Sequence, residues 1–227
     1  MKHLIMISLV LIFSNGAFAK GGGDMGLSFG IALATPSQSD LEAHISTVNT
    51  ASSSSISKFG AGTEIFADFS FNLGGSMFNI LFRPSYFMQS TSSGTNKYSL
   101  SGLTFFPMMR FVPLENNIIK FFLQGGVGYG RLSGSVENAS GKVDFAGGTF
   151  GMMGGLGALF CFTPAHCMGV EGNLRYLPIA RNTVSNVTGA HPQFSQAIAD
   201  RELEFDDSDV ATSMSGIVGA VYYTLMF

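Results

Sequence analysis

The chain has 227 residues, only 12 % of them charged, and a net charge of −3. One domain is expected from that length, and the absence of a basic footprint excludes a nucleic-acid backbone as partner. Beyond the first twenty residues no apolar run approaches the roughly 18 needed for a membrane helix, which leaves a sheet-rich core or a membrane barrel.

At the N-terminus Lys2 and His3 precede an apolar run over 4–13, a polar break at 14–16, and the small residues Ala17 and Ala19 around Phe18. This three-part pattern predicts a secretory signal peptide over 1–19, cleaved after Ala19 to leave a single domain over 20–227.

From 25 to 33 every second residue is large and apolar: Met25, Leu27, Phe29, Ile31 and Leu33. Period two gives a strand one apolar face and one small or polar face. The rhythm recurs over about 59–72, 77–89, 98–112, 118–131, 143–162, 169–181 and 210–227, making eight strands. Short turns are expected at 73–76, 113–117 and 163–168, and longer Ser/Thr/Asn/Gly-rich loops at 36–58, 90–97, 132–142 and 182–209. Such alternation of short and long connections predicts an all-β, antiparallel, up-and-down transmembrane barrel, with both termini periplasmic and the long loops outside.

Faces follow from the alternation. On the third strand Phe78, Ile80, Phe82, Tyr86 and Met88 would face lipid, opposite Asn79, Arg83, Ser85 and Gln89. On the fifth, inward Gly126, Gly128 and Gly130 would leave room for Phe106 and Met108. With no Trp in the chain, an interfacial girdle would fall to Tyr86, Tyr98, Tyr129, Tyr222 and Tyr223.

Seven charges fall on the polar face: Glu64, Asp68, Arg83, Arg110, Lys120, Glu171 and Arg175. The turn at 73–76 would set Arg83 opposite Phe66, flanked diagonally by Glu64 and Asp68. The turn at 113–117 would set Arg110 opposite Lys120, with Glu171 as their acidic partner across the lumen. In a narrow barrel such charges satisfy one another and close the interior; the alternative is a narrow path for solutes. Pro84, Pro107 and Pro178 lie in predicted strands and cannot donate a ladder bond, which suggests bulges or membrane-edge positions. Cys161 and Cys167, close across a turn, form a disulfide in an oxidising compartment or remain two diverging thiols.

In the last strand Ile217, Val221, Tyr223, Leu225 and Phe227 alternate up to a terminal aromatic. Here the chain resembles the small outer-membrane barrels typified by the OmpA and OmpX transmembrane domains. The resemblance implies an outer-membrane location, with Tyr223, Leu225 and Phe227 as a signal for the barrel-assembly machinery. Pro84, Pro107 and Pro178 also admit a lateral opening for an apolar molecule, as in barrels resembling the OmpW family. His44-Ile45-Ser46 resembles the His-x-Ser element of outer-membrane lipid A deacylases if extended, but it lies in a predicted loop rather than late in a strand. Asp200, Glu202, Glu204, Asp206, Asp207 and Asp209 make an acidic loop, able to share cations with lipopolysaccharide heads but without the spacing of a calcium loop. His191-Pro192 reads as loop punctuation.

The sequence therefore predicts a non-enzymatic integral outer-membrane barrel without cofactor, structural or surface-interacting, its lumen closed by ion pairs. Its partners would be outer-membrane lipid and lipopolysaccharide, the assembly machinery, and an extracellular ligand held by the long loops. A narrow channel is the alternative, and a lipid-modifying enzyme the second.

Overall fold

A computed structural model describes residues 25–52, 55–74, 76–116, 118–190, 194, 197–205 and 208–227. The expected signal peptide lies outside the described residues, as do His191, Pro192, Asp206 and Asp207. The elements are β1 (Met25–Ala34), α1 (Ser39–Ser52), β2 (Gly62–Asn72), β3 (Phe78–Ser93), β4 (Asn96–Glu115), β5 (Ile119–Glu137), β6 (Gly141–Thr163), β7 (His166–Tyr176), β8 (Pro178–Ile179), β9 (Thr183–Gly189), β10 (Glu204–Phe205), β11 (Ser208–Asp209), β12 (Thr212–Ser213) and β13 (Gly216–Met226).

Eight antiparallel strands close into a barrel. Their order is β5-β4-β3-β2-β1-β13-β7-β6, and pairing of β5 with β6 shuts the ring. Closure removes the unpaired edges of the wall, a requirement for a sheet surrounded by hydrocarbon. Alternation sets the faces: Phe29, Ile31 and Leu33 point outward on β1, while Ser28, Ala32 and Ala34 are buried. Outward Phe150 is 80 % exposed and Leu174 69 %. A continuous outward band of such side chains is stable against lipid and not against water.

Strands of 16 to 23 residues in β3 to β6 exceed the roughly 10 that cross a bilayer, so the wall rises beyond the apolar band at one end. There the connections differ from the sequence expectation. Segments 90–97 and 132–142 are β-hairpins that prolong the wall rather than loops, and β9 pairs with the upper part of β6, above the end of β7. The first long loop contains α1, whose Leu41, Ile45 and Val48 are buried. Asp40 and Glu42 in its first turn suit the positive end of the helix dipole.

Inside this taller end, α1 and the last long segment supply an apolar plug. Leu41, Ile45, Leu203, Val210 and Met214 join Tyr98, Leu132 and Phe145 of the wall in one cluster. At the other end the turns are short, and Met25 and Phe227 exchange backbone hydrogen bonds of 3.2 and 3.0 Å.

The inward glycines act as the alternation implies. A Cβ on Gly128 would meet Phe106 Cδ1 at 2.5 Å, and one on Gly126 would meet Met108 Cγ at 2.8 Å. The tyrosine girdle is corrected: Tyr98 and Tyr222 are buried inside the barrel, while Tyr86, Tyr129, Tyr176 and Tyr223 face outward. Across Pro84 and Pro107 the register is unshifted, so neither marks a bulge; the wall's shift in β4 falls between Phe111 and Leu114, beside Pro113. Pro178 lies in β8, paired with Ser213.

Candidate functional site

The lumen is crossed by two sets of buried charges. The lower set joins β2, β3, β4, β5 and β7. Arg83 donates from Nε to Asp68 Oδ1 at 2.7 Å and from Nη2 to Asp68 Oδ2 at 2.6 Å, a bidentate geometry that fits a guanidinium fork. Its Nη1 donates to Glu171 Oε1, and its Cζ lies 4.3 Å from the centre of the Phe66 ring. Arg110 donates from both Nε and Nη2 to Gln124 Oε1, at 3.0 and 2.8 Å. Its nearest carboxylate oxygens are Glu171 Oε2 at 3.6 Å and Asp68 Oδ2 at 4.0 Å. Gln124 Nε2 donates to Glu171 Oε2 at 3.2 Å and to Asn173 Oδ1 at 2.9 Å, and Asn173 Nδ2 donates to Glu171 Oε1 at 2.8 Å.

The upper set ties β7 to β2 and to the last long segment. Arg175 Nη1 donates to Glu64 Oε2 at 2.7 Å, and Nε donates to the Met214 carbonyl at 2.7 Å. Both sets are electrically neutral, as buried charge requires. Ser85 and Thr104 share a 2.6 Å hydrogen bond between cross-strand neighbours.

Of the seven charges singled out in the sequence, Glu64, Asp68, Arg83, Arg110, Glu171 and Arg175 lie buried in the lumen. Lys120 does not join them. It faces Glu115 at the short-turn end, 2.5 Å from Oε1, with 23 % of its side chain exposed. The expected registers also change. Phe66 pairs with Ser85 and Phe69 with Phe82, which brings Asp68, not Phe66, level with Arg83. The reason is a wider turn, closed by Asn72 against Asn79. Arg110 pairs with Gln124 instead of Lys120, because β4 continues to Glu115 before a tighter turn.

Sequence reasoning missed Gln124 and Asn173, the amides that knit the lower set together. It also missed the outer closure. Gln38 Nε2 donates to Gln89 Oε1 at 3.1 Å and to the Ser213 carbonyl at 2.7 Å, fastening the start of α1 to β3 and β12. Gln38 adjoins Ser39 and Asp40, a helix-start signal available in the sequence.

The His-x-Ser element is helical, not extended. His44 is buried against Phe194, at 4.6 Å between ring centroids, and its Nδ1 lies 3.1 Å from the Tyr98 hydroxyl, while Ser46 faces solvent. The two side chains therefore lie on different faces and cannot act as a base and nucleophile pair. Arg181 engages Glu202 at 3.0 Å and Asp209 at 3.2 Å, and no cluster of three metal-ligating side chains occurs among the described residues. Cys161 and Cys167 are joined by a disulfide across the β6–β7 turn. Tyr223, Leu225 and Phe227 share the outward face of the last strand, with the Tyr223 hydroxyl hydrogen-bonded to His166 Nδ1.

The closed ring of eight strands with an apolar outside and a charged inside decides the architecture. The fold is that of the small outer-membrane β-barrels. The barrel is similar to neisserial surface protein A, with a TM-score of 0.52 and 11 % identity over 92 % of this chain and 100 % of that one. It is equally similar to the outer membrane protein OprG from Pseudomonas aeruginosa, at 0.52 and 11 % over 91 % of this chain and 96 % of the other. A major outer membrane protein from Thermus thermophilus gives 0.52 and 10 % over 89 % and 99 %. No family model matches the sequence, and no curated protein matches it.

Proposed function

We propose that this protein is an integral outer-membrane barrel closed to solutes, non-enzymatic, working as a structural element and as a surface for contacts outside the cell. The observation that carries the reading is the lower charge set: Arg83 engages both Asp68 and Glu171 across the lumen, so one guanidinium fastens β2, β3 and β7 together. Above it the lumen is filled by the apolar plug of α1 and the last long segment. The taller end faces outside, since short turns are the periplasmic mark of such barrels.

Outer-leaflet glycolipid is the partner that the outward face favours. Ser90, Ser99, Ser135 and Asp144 align across β3 to β6 just beyond the apolar band, near exposed Arg131 and Lys97. Hydroxyls and cations at that height suit the sugars and phosphates of lipopolysaccharide. Export by the residue 1–19 signal and recognition of Tyr223, Leu225 and Phe227 by the assembly machinery complete the reading. An extracellular ligand would meet the outer surface of the plugged end.

Single-channel recording in planar bilayers tests closure. The native barrel should be silent, and openings should appear when Arg83→Ala is combined with Ile45→Ala, which loosens the plug above it. Reproducible conductance steps in the native protein would replace this reading with the narrow channel.

A further inference from the structure

Beneath the lower charge set the lumen is open. A chamber of about 550 Å³ reaches the short-turn end, with Arg110 and Phe122 among its lining, together with Asn79, Ser70, Lys120 and Thr224. That volume falls within the range of small-molecule sites.

Arg110 is the unusual member. Its carboxylate neighbours are committed elsewhere: both oxygens of Asp68 accept from Arg83, and Glu171 accepts from Arg83, Asn173 and Gln124. Arg110 holds a neutral amide oxygen and stands 3.6 Å or more from each carboxylate. Phe122 backs its guanidinium at 4.0 Å, which keeps the plane fixed. Arg110 is 4 % exposed, yet borders the chamber. The set is neutral overall, with Glu171 and Asp68 as longer ion pairs of Arg110, but the hydrogen bonds of Arg110 go to one amide oxygen, so its guanidinium keeps N–H donors for an oxyanion that enters the chamber. Lys120 lines the chamber nearer the opening, but Glu115 lines it too and pairs with Lys120 at 2.5 Å, so together they add no net charge.

We propose that the periplasm-facing chamber binds a small solute bearing a carboxylate or phosphate, with Arg110 as the anion-binding residue and the asparagine and hydroxyl side chains around it serving the polar remainder. This goes beyond the closed-barrel reading, because the chamber lies below the plug and can fill whether or not the lumen conducts. Orientation by a backed guanidinium favours planar or tetrahedral oxyanions over chloride.

The test uses the refolded full-length mature barrel in nanodiscs, titrated separately with sodium succinate and inorganic phosphate against sodium chloride at matched ionic strength. Backbone amide resonances of Arg110, Phe122 and Gln124 report occupancy. Saturable shifts with succinate or phosphate are expected, and whichever of the two saturates at lower concentration identifies the carboxylate or the phosphate source. Arg110→Gln should weaken binding by about tenfold or more, with Arg110→Lys between the two. Val112→Phe, which adds bulk to the chamber while leaving Arg110 in place, should also abolish saturation. Linear shifts in the native barrel, equal response to chloride, or unchanged affinity in Val112→Phe would overturn the proposal. If Arg110→Gln does not fold, the Val112→Phe comparison decides.

Discussion

Arg175 on β7 reaches Glu64 on β2 across the lumen at 2.7 Å, and the same guanidinium holds the Met214 carbonyl at 2.7 Å. The pair therefore links the wall to the segment that folds into the outer mouth. Breaking a buried ion pair from one side strands the other charge, which typically costs about 3–5 kcal/mol. Arg175→Met alone should lose about that much in urea unfolding from lipid vesicles, and Glu64→Gln with Arg175→Met should lose less than the sum of the single changes. Additive losses would mean that the two side chains do not interact in the membrane.

A closely packed inward glycine makes a separate prediction. A Cβ on Gly128 would sit 2.4 Å from the Phe105 carbonyl oxygen and 2.5 Å from Phe106 Cδ1, so both backbone and ring must move. Gly219 meets nothing within 4 Å. Gly128→Val should strongly reduce the folded fraction seen as heat-modifiable migration, at a cost above the roughly 1–3 kcal/mol of ordinary overpacking. Gly219→Ala should stay within about 0.5 kcal/mol of the native barrel. Equal folding of both variants would mean that β5 does not run against Phe106.

These side chains show what was legible beforehand. Period-two alternation places Arg83, Arg110 and Glu171 inside because a strand has two faces and lipid claims one of them. Register was not legible, since it depends on whether Asn72 and Asn79 close the β2–β3 turn and on the shift between Phe111 and Leu114. That difference moved Asp68 level with Arg83 and left Lys120 with Glu115. The α1 plug escaped because its apolar stripe of Leu41, Ile45 and Val48 is thin within a run rich in Ser and Thr. Leu203 in the last loop follows no period, and Val210, which the alternation assigned to a last strand over 210–227, packs from irregular backbone because that strand begins only at Gly216.

The helix packs its apolar stripe into the outer mouth, with Ile45 2 % exposed, and Asn49 brackets the segment beyond it through two 2.9 Å hydrogen bonds with the backbone of Ile56. Truncating a buried isoleucine usually costs about 2–5 kcal/mol, here charged to the docking of the helix rather than to the wall. Ile45→Ala should therefore speed proteolysis of residues 36–61 in intact cells while leaving the heat-modifiable barrel unchanged. A cleavage pattern identical to that of the native protein would show that the helix is held by other contacts.

The disulfide links Cys161 and Cys167 at a sequence separation of 6, across a hairpin already closed by the pairing of Thr163 with His166. Loop-closure entropy for so short a ring amounts to about 2 kcal/mol at most, and the ladder has already restricted the same residues. Replacing both cysteines by serine should therefore lower stability by no more than about 2 kcal/mol and leave assembly intact. Cys161 also lines the chamber below Arg110, while Cys167 is fully buried. A larger loss, or an altered response of Arg110 amide resonances to succinate in the double variant, would show that the bridge shapes the chamber and not only the turn.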